Sequence, residues 1–232
     1  MNREPGTVNR KPDLLLIHTV PLLVELFQTL CRERLPGKRE LHVVDEPLLE
    51  GVRQRGGLAL EDADRLLEHV RAAESIGARA ILVTCSTISP AVDRIRNRTS
   101  LPVLKIDDAM VQKAVAMDAR LGVCVTNPTT VEPTRLALSN EAARQGKSVK
   151  VELHLVKGAW DALAAGEAGA HDRLVTEAVV RIQPKVDVVI LAQASMLRSM
   201  PAILAAGCRI PVLSTPALAI EEVAKVLGSS EF

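Results

Sequence analysis

The chain has 232 residues, a formal net charge of +1 and 47% hydrophobic residues. That composition is globular, and a near-neutral balance without a long basic run argues against a nucleic-acid or anionic-membrane surface. Aromatic side chains are limited to Phe27, Trp160 and Phe232, with no tyrosine, so the usual stacking platform for single-stranded nucleic acid is missing as well.

The four cysteines, Cys31, Cys85, Cys124 and Cys208, form no C-x-x-C pair, and no His/Cys spacing suits a metal. Residues 1–11 are polar and lack the apolar core of a signal peptide, and no apolar run reaches membrane-spanning length. The expectation is a cytoplasmic protein with reduced thiols, no metal and no membrane or nucleic-acid partner.

In chain order, Leu14–His18 predicts a strand. Thr19 stands at a cap position and Pro21 in a first turn, ahead of a helix over Leu22–Arg34. Leu41–Val44 predicts a second strand, 46–58 a charged, Gly-rich loop with some helix, and Leu60–Ile76 an amphipathic helix closed by Gly77. Ala80–Thr84 is a continuous apolar strand that runs into Cys85-Ser86-Thr87 and a helix to about Arg98, with Val103–Ile106 the next strand. The second half reads alike. Leu121–Val125 is a strand, followed by Thr126-Asn127-Pro128-Thr129-Thr130 and a helix to about Gln145. Val149–Leu155 alternates as a strand, and helices follow near 159–165 and 171–182. Val188–Ala192 is a buried strand ending in Gln193-Ala194-Ser195-Met196, and Pro211–Leu213 and Pro216–Leu227 close the chain as strand and helix.

An internal repeat organises these elements. Residues 14–21 align with 121–128, 80–87 with 188–195, and 101–104 with 210–213, at offsets of 107, 108 and 109. The expected architecture is α/β. It has two pseudo-symmetric lobes, each a mainly parallel sheet flanked by helices, with the active site in the cleft between them. The expected division is a flexible tail at 1–12, lobe one at 13–108 plus 210–232, and lobe two at 109–209. Ligands of parallel sheets sit beyond the carboxyl ends of strands, which singles out Thr19, Cys85–Thr87, Thr126–Thr130 and Gln193–Ser195.

Cys85 is the foremost chemical candidate. A helix N-terminus lowers a thiol pKa from its ordinary value of about 8.5, and Thr84, Ser86 and Thr87 add donors able to hold a carboxylate or an enolate oxygen. Cys31, Cys124 and Cys208 read as packing residues. Thr19 and Thr126 are equivalent in the repeat, as are Thr87 and Ser195. Each alone is explained by helix capping; as a set they read as a binding ring, which Asn127, Thr129 and Thr130 extend. His18 and His154 lie near strand ends and are either acid/base groups or structural histidines. His42, His69 and His171 read as surface or cap residues, and Trp160 as packing.

The V-T-C-S-T run at 83–87, the T-N-P-T-T loop at 126–130 and I-L-A-Q-A-S-M at 190–196, set in two duplicated α/β lobes, resemble the aspartate/glutamate/hydantoin racemase superfamily. That superfamily includes arylmalonate decarboxylase and maleate isomerase, and the resemblance runs from about Leu14 to Leu227. It implies an enzyme without metal or pyridoxal phosphate, working on a carbon next to a carboxylate with one cysteine from each lobe. Hydroxyls and backbone amides hold the carboxylate. Cys85 matches the first cysteine. At the second position stands Gln193, or Ala194 in an ungapped comparison, and neither ionises.

Three readings follow. The first is a single-thiol racemase or isomerase of a small carboxylic acid, with Cys85 and Gln193 at the reacting centre. Thr19, Ser86, Thr87, Thr126, Asn127, Thr130, Ala194 and Ser195 would bind its substrate. The second is a single-cysteine decarboxylase of a malonate-like acid, and the third a binding protein without catalysis. Related racemases are often dimers or larger, which makes a homo-oligomer an expectation too.

Overall fold

The computed structural model describes residues 10–228, so residues 1–9 of the expected tail, and Phe232, lie outside the described residues. Two four-stranded parallel sheets form the molecule. The first has the order β2-β1-β3-β4, from β1 (Leu14–His18), β2 (Glu40–Val44), β3 (Ala80–Val83) and β4 (Val103–Lys105). The second repeats it as β6-β5-β7-β8, from β5 (Arg120–Val125), β6 (Lys150–Leu155), β7 (Val188–Leu191) and β8 (Val212–Ser214). The central strands β1, β3, β5 and β7 are buried almost throughout, as continuous apolar strands covered by helices on both faces must be.

The register repeats as well. Ile17 lies opposite Val83 in the first sheet and Cys124 opposite Leu191 in the second. Counting on from these pairs makes Thr19 equivalent to Thr126, Thr84 to Ala192 and Cys85 to Gln193. One position departs from the repeat for packing reasons. Gly122 on β5 stands where β1 has Leu15, and a Cβ there would come within 2.9 Å of the Val186 side chain.

The helices are α1 (Leu23–Arg34), α2 (Glu46–Arg55), α3 (Leu60–Ser75), α4 (Ser89–Ile95) and α5 (Asp108–Ala116) in the first half. The second half has α6 (Pro128–Arg144), α7 (Ala159–Ala164), α8 (Ala168–Ile182), α9 (Met200–Ala205) and α10 (Thr215–Val226). Helix α2 occupies the segment expected to be mainly loop. Asp45 caps it by accepting from Leu48 N at 3.1 Å, Pro47 lies in its first turn, and Gly56 ends it at φ +74°. Its buried face is Leu48, Leu49 and Val52, and tertiary packing of that face outweighs the helix-weakening Gly51.

The expected division at 210–232 needs a correction. Strand β8 pairs with β7 and so completes the second sheet, whereas α10 lays Ala219, Ile220, Val223 and Ala224 on the core of lobe one beside Leu14, Leu16 and Phe27. Helix α5, which follows the last strand of the first sheet, does the converse. Its Met110, Val111, Ala114 and Val115 pack with Leu121, Val123 and Val125 of the second sheet. Each lobe thus receives the closing helix of the other. No helix among the described residues is long and apolar enough to cross a membrane.

Candidate active site

The carboxyl ends of β1, β3, β5 and β7 face one another across the two lobes. They enclose a small chamber of about 30 Å³, lined by Thr19, Thr84, Cys85, Ser86, Thr87, Asn127, Gln193, Ala194 and Ser195, with Val20, Leu23, Leu49 and Trp160 as its apolar wall. That volume holds about one water molecule. At Thr19, Val20, Leu49 and Trp160 the chamber meets an outer groove of about 790 Å³, whose charged groups are Glu46, Glu50 and Arg53. Gly158, at φ +75°, turns the chain out of β6 into α7 and delivers Trp160 to the core of lobe one, with Arg53 above its ring at 5.4 Å.

Cys85 lies two residues beyond the end of β3, in a turn whose Ile88 N–H returns to the Cys85 carbonyl, and α4 begins only at Ser89. Burial pushes its thiol pKa up. The Thr19 hydroxyl and the backbone amides of Ile88 and Thr87 pull it back, and the nearby charge of Asp107 pushes it up again. The resting group is therefore a thiol, with three donors placed to receive a thiolate. Thr19 does not cap α1, as its sequence position suggested. The helix starts at Leu23 without a side-chain cap, and Thr19 Oγ1 is buried with no conventional partner among the described residues.

Gln193 fills the equivalent position in lobe two. Its Oε1 accepts from the Thr126 and Asn127 backbone amides and from Thr126 Oγ1 at 2.9 Å. Three donors on one oxygen fix the amide's orientation and leave its NH₂ end for the chamber. Thr126 therefore lies behind Gln193 and does not line the chamber. Thr130 also stands behind the wall, bonded across the lobes to Thr87 Oγ1 at 2.8 Å. Asn127 is the cap of α6. Its Oδ1 accepts from Thr129 N and Thr129 Oγ1, while Nδ2 is buried without a partner. Thr87 and Ser195 cap no helix through their side chains.

The two candidate histidines point elsewhere. His18 is fully buried beneath the chamber, bonded through Nδ1 to Thr84 Oγ1 at 2.7 Å and through Nε2 to His42 Nδ1 at 2.8 Å. Burial, and then the neighbouring His42, lower its pKa to about 3, so it is neutral. His42, expected at the surface, is thus a half-buried partner of His18. His171, read as surface or cap, is instead fully buried and bonded to Asp172 at 2.9 Å. His154 lies against Glu152 on the outer side of lobe two. The four cysteines are free, and burial pushes Cys31 and Cys124 up to about 12. No cluster of three His, Cys, Asp or Glu side chains suited to a metal occurs among the described residues.

One buried group escaped the sequence reading. Asp107, two residues beyond the end of β4, accepts from Ser86 Oγ at 2.7 Å, and burial pushes its pKa up to about 6. The rule that singled out the other turns, beyond the carboxyl ends of strands, applies to this one too.

The profile of the Asp/Glu/hydantoin racemase family matches residues 19–223. No curated protein matches the chain in a sequence search. Among solved structures, the fold is similar to glutamate racemase isoform RacE1 from Bacillus anthracis, with a TM-score of 0.70 and 13% identity over 94% of this chain and 83% of that one. Allantoin racemase from Klebsiella pneumoniae gives 0.69 and 19%, covering 94% and 88%. Arylmalonate decarboxylase gives 0.57 and 14%, covering 95% and 94%.

Proposed function

The chain belongs to the Asp/Glu/hydantoin racemase family and is an isomerase of that type, and within that class we propose that it works with a single thiol, Cys85, on the carbon next to a carboxylate of a small acid. The observation that carries this reading is a chamber with one thiol and an excess of donors. Asn127 Nδ2 and Trp160 Nε1, on residues that line it, are buried without partners, and Thr19 Oγ1 has none besides the Cys85 sulfur. Unpaired buried donors are costly, and an anion satisfies them.

The substrate carboxylate lies between the Asn127 amide and the hydroxyls of Thr87 and Ser195, with Ala194 giving it room, while Thr19 serves the Cys85 sulfur and Ser86, engaged with Asp107 and the Ala192 carbonyl, forms the wall beside it. Thr126 and Thr130 hold Gln193 and Thr87 in place behind them. Cys85 first gives its proton to water, leaving a thiolate held by Thr19 and the Thr87 and Ile88 amides; the thiolate takes the α-proton, and the electron pair left on carbon spreads into the carboxylate as an enediolate. The Gln193 NH₂ faces that growing charge as a neutral donor. Cys85, now a thiol, returns the proton: delivered to the face it left, it gives exchange without inversion, and delivered after the enediolate has turned over in the site, it gives the other enantiomer. Since the chamber is smaller than a carboxylate with its α-carbon, Leu49 and Trp160 at the neck move aside on entry. With no metal or cofactor in this scheme, the acidity of the α-carbon comes from these donors alone.

A second reading rests on the protonated resting state of Cys85. A malonate-like acid would lose carbon dioxide as its C–C bond breaks, and the resulting enediolate would take the Cys85 proton, leaving a thiolate for water to reprotonate.

Incubation of small 2-substituted carboxylic and malonic acids in deuterated water tests both. The expected result is deuterium at the α-carbon without carbon dioxide release, faster than loss of optical activity, because a single base returns the proton to the face it left more often than the enediolate turns over. Carbon dioxide release with one-sided deuteration establishes the decarboxylase instead. Exchange that survives in Cys85→Ala overturns both.

A further inference from the structure

Asp107 is a buried carboxyl that the thiol chemistry leaves without a task. It joins β4 to α5 and is 6% exposed. Ser86 Oγ lies 2.7 Å from Asp107 Oδ1 and 3.0 Å from the carbonyl oxygen of Ala192. The two oxygens come from opposite halves of the molecule, since Ala192 follows β7 and directly precedes Gln193. A serine hydroxyl has one hydrogen to donate. With Asp107 ionised, both neighbours of Ser86 are acceptors and only one is served. With Asp107 protonated, its O–H donates to Ser86, Ser86 donates to Ala192, and both contacts are hydrogen bonds.

We propose that Asp107 is a positioning residue acting through Ser86: protonated, it ties the two lobes together at the chamber, and ionised, it places a negative charge behind Cys85. The proposal rests on Cys85 being the reacting thiol. Burial holds Asp107 up to about 6, against the Ser86 and Ser89 hydroxyls that favour its anion, and its charge raises the thiol in turn. Asp108 raises the Asp107 carboxyl further, and Lys105 lowers it. Lys105 Nζ itself reaches Asp93 at 3.2 Å and Asp108 at 3.3 Å. Helices α6 and α10, packed on α5, engage their charges elsewhere: Glu132 with Arg135, Glu141 with Arg144, Glu221 with Arg34 and Glu222 with Lys225. Strand β8 brings no charge.

The test is alkylation of Cys85 by iodoacetamide across about pH 5 to 9, read at that residue by peptide mass. In the unaltered protein the rate profile bends near 6, where Asp107 charges and the thiol hardens. Asp107→Asn keeps a donor toward Ser86 and carries no charge. Its profile should lose the bend, and alkylation at pH 8 should rise about threefold or more. Ser86→Ala removes the donor to the carboxylate, so the bend should move to higher pH. A bend that persists in Asp107→Asn, or stays in place in Ser86→Ala, overturns the proposal. The Ser86 variant decides alone should Asp107→Asn fail to fold. A merely structural Asp107 would lower activity without straightening the profile. Because this titration reads the sulfur itself, it stands apart from the exchange assay: activity surviving in Cys85→Ala sinks the thiol reading, whatever the bend does.

Discussion

At the end of β3 the chain reads Thr84-Cys85-Ser86-Thr87, and at the end of β7 it reads Ala192-Gln193-Ala194-Ser195. Strand register, neighbouring strand and partner loop are the same in both places. Their donors are used differently. In lobe one the Thr19 hydroxyl sits beside a sulfur that can lose a proton, and it is otherwise idle. In lobe two the equivalent Thr126 spends its hydroxyl and its amide on a glutamine oxygen that cannot. Duplication has kept the cradle of donors and left the proton inventory on one side. A second difference lies one layer deeper. His18 and Thr84 bond to each other in lobe one, where lobe two has Val125 and Ala192.

The comparison breaks most completely at Cys85. Cys85→Ala leaves both turns without a titrating group, and α-proton exchange should fall about 10²-fold or more. Activity within a few-fold of the unaltered protein would mean that the lobes do not differ in the way described.

Gln193→Cys makes the two turns alike. It should add exchange from the opposite face, so that loss of optical activity catches up with deuterium uptake. If deuterium still enters from one face only, the register equivalence of 85 and 193 does not extend to their reach into the chamber.

The deeper difference is testable by acid. His18 has a folded pKa of about 3, below its ordinary 6.5, so the unfolded chain binds the proton that the folded one refuses. Stability is therefore lost as pH falls from about 6.5 toward 3, by roughly 5 kcal/mol at most from this group. His18→Val, which copies lobe two, should flatten the acid limb of a denaturant-midpoint profile between those values. An unchanged slope would assign the acid sensitivity to another group. The smallest effect is expected at the bond between lobes. Thr130→Val leaves Thr87 Oγ1 without its 2.8 Å partner and should cost about 1 kcal/mol by chemical denaturation.

The parts of the fold legible in the sequence were those with local signals. Leu14–Ile17, Ala80–Val83 and Val188–Leu191 are continuous apolar runs, and polar turns after them announced most of the chamber. Helix α2 was hidden because Gly51 and its charges weaken the period, while its Leu48, Leu49 and Val52 gain their burial from lobe one. Strand β8 takes the place in the second sheet that the alignment of 210–213 with 101–104 implies, and only α10 crosses to lobe one, so a single boundary at 210 misplaces the strand by carrying it with the helix. In the site, Thr19 read as a cap, and only packing shows its hydroxyl turned to Cys85. Gln193 was visible as a missing thiol, but its capture by Thr126 and Asn127 depends on loops 66 and 67 residues apart. Leu49 and Trp160 carry no motif, since an apolar wall is made by shape alone.

The exchange of closing helices has a mechanical meaning. A cut at the junction of the halves would strip α10 from Leu14, Leu16 and Phe27, and α5 from Leu121 and Val123, leaving an uncovered apolar face on each fragment. Neither duplicate is a folding unit by itself. The pair should melt in one cooperative transition, and two resolved transitions would mean that the halves fold on their own.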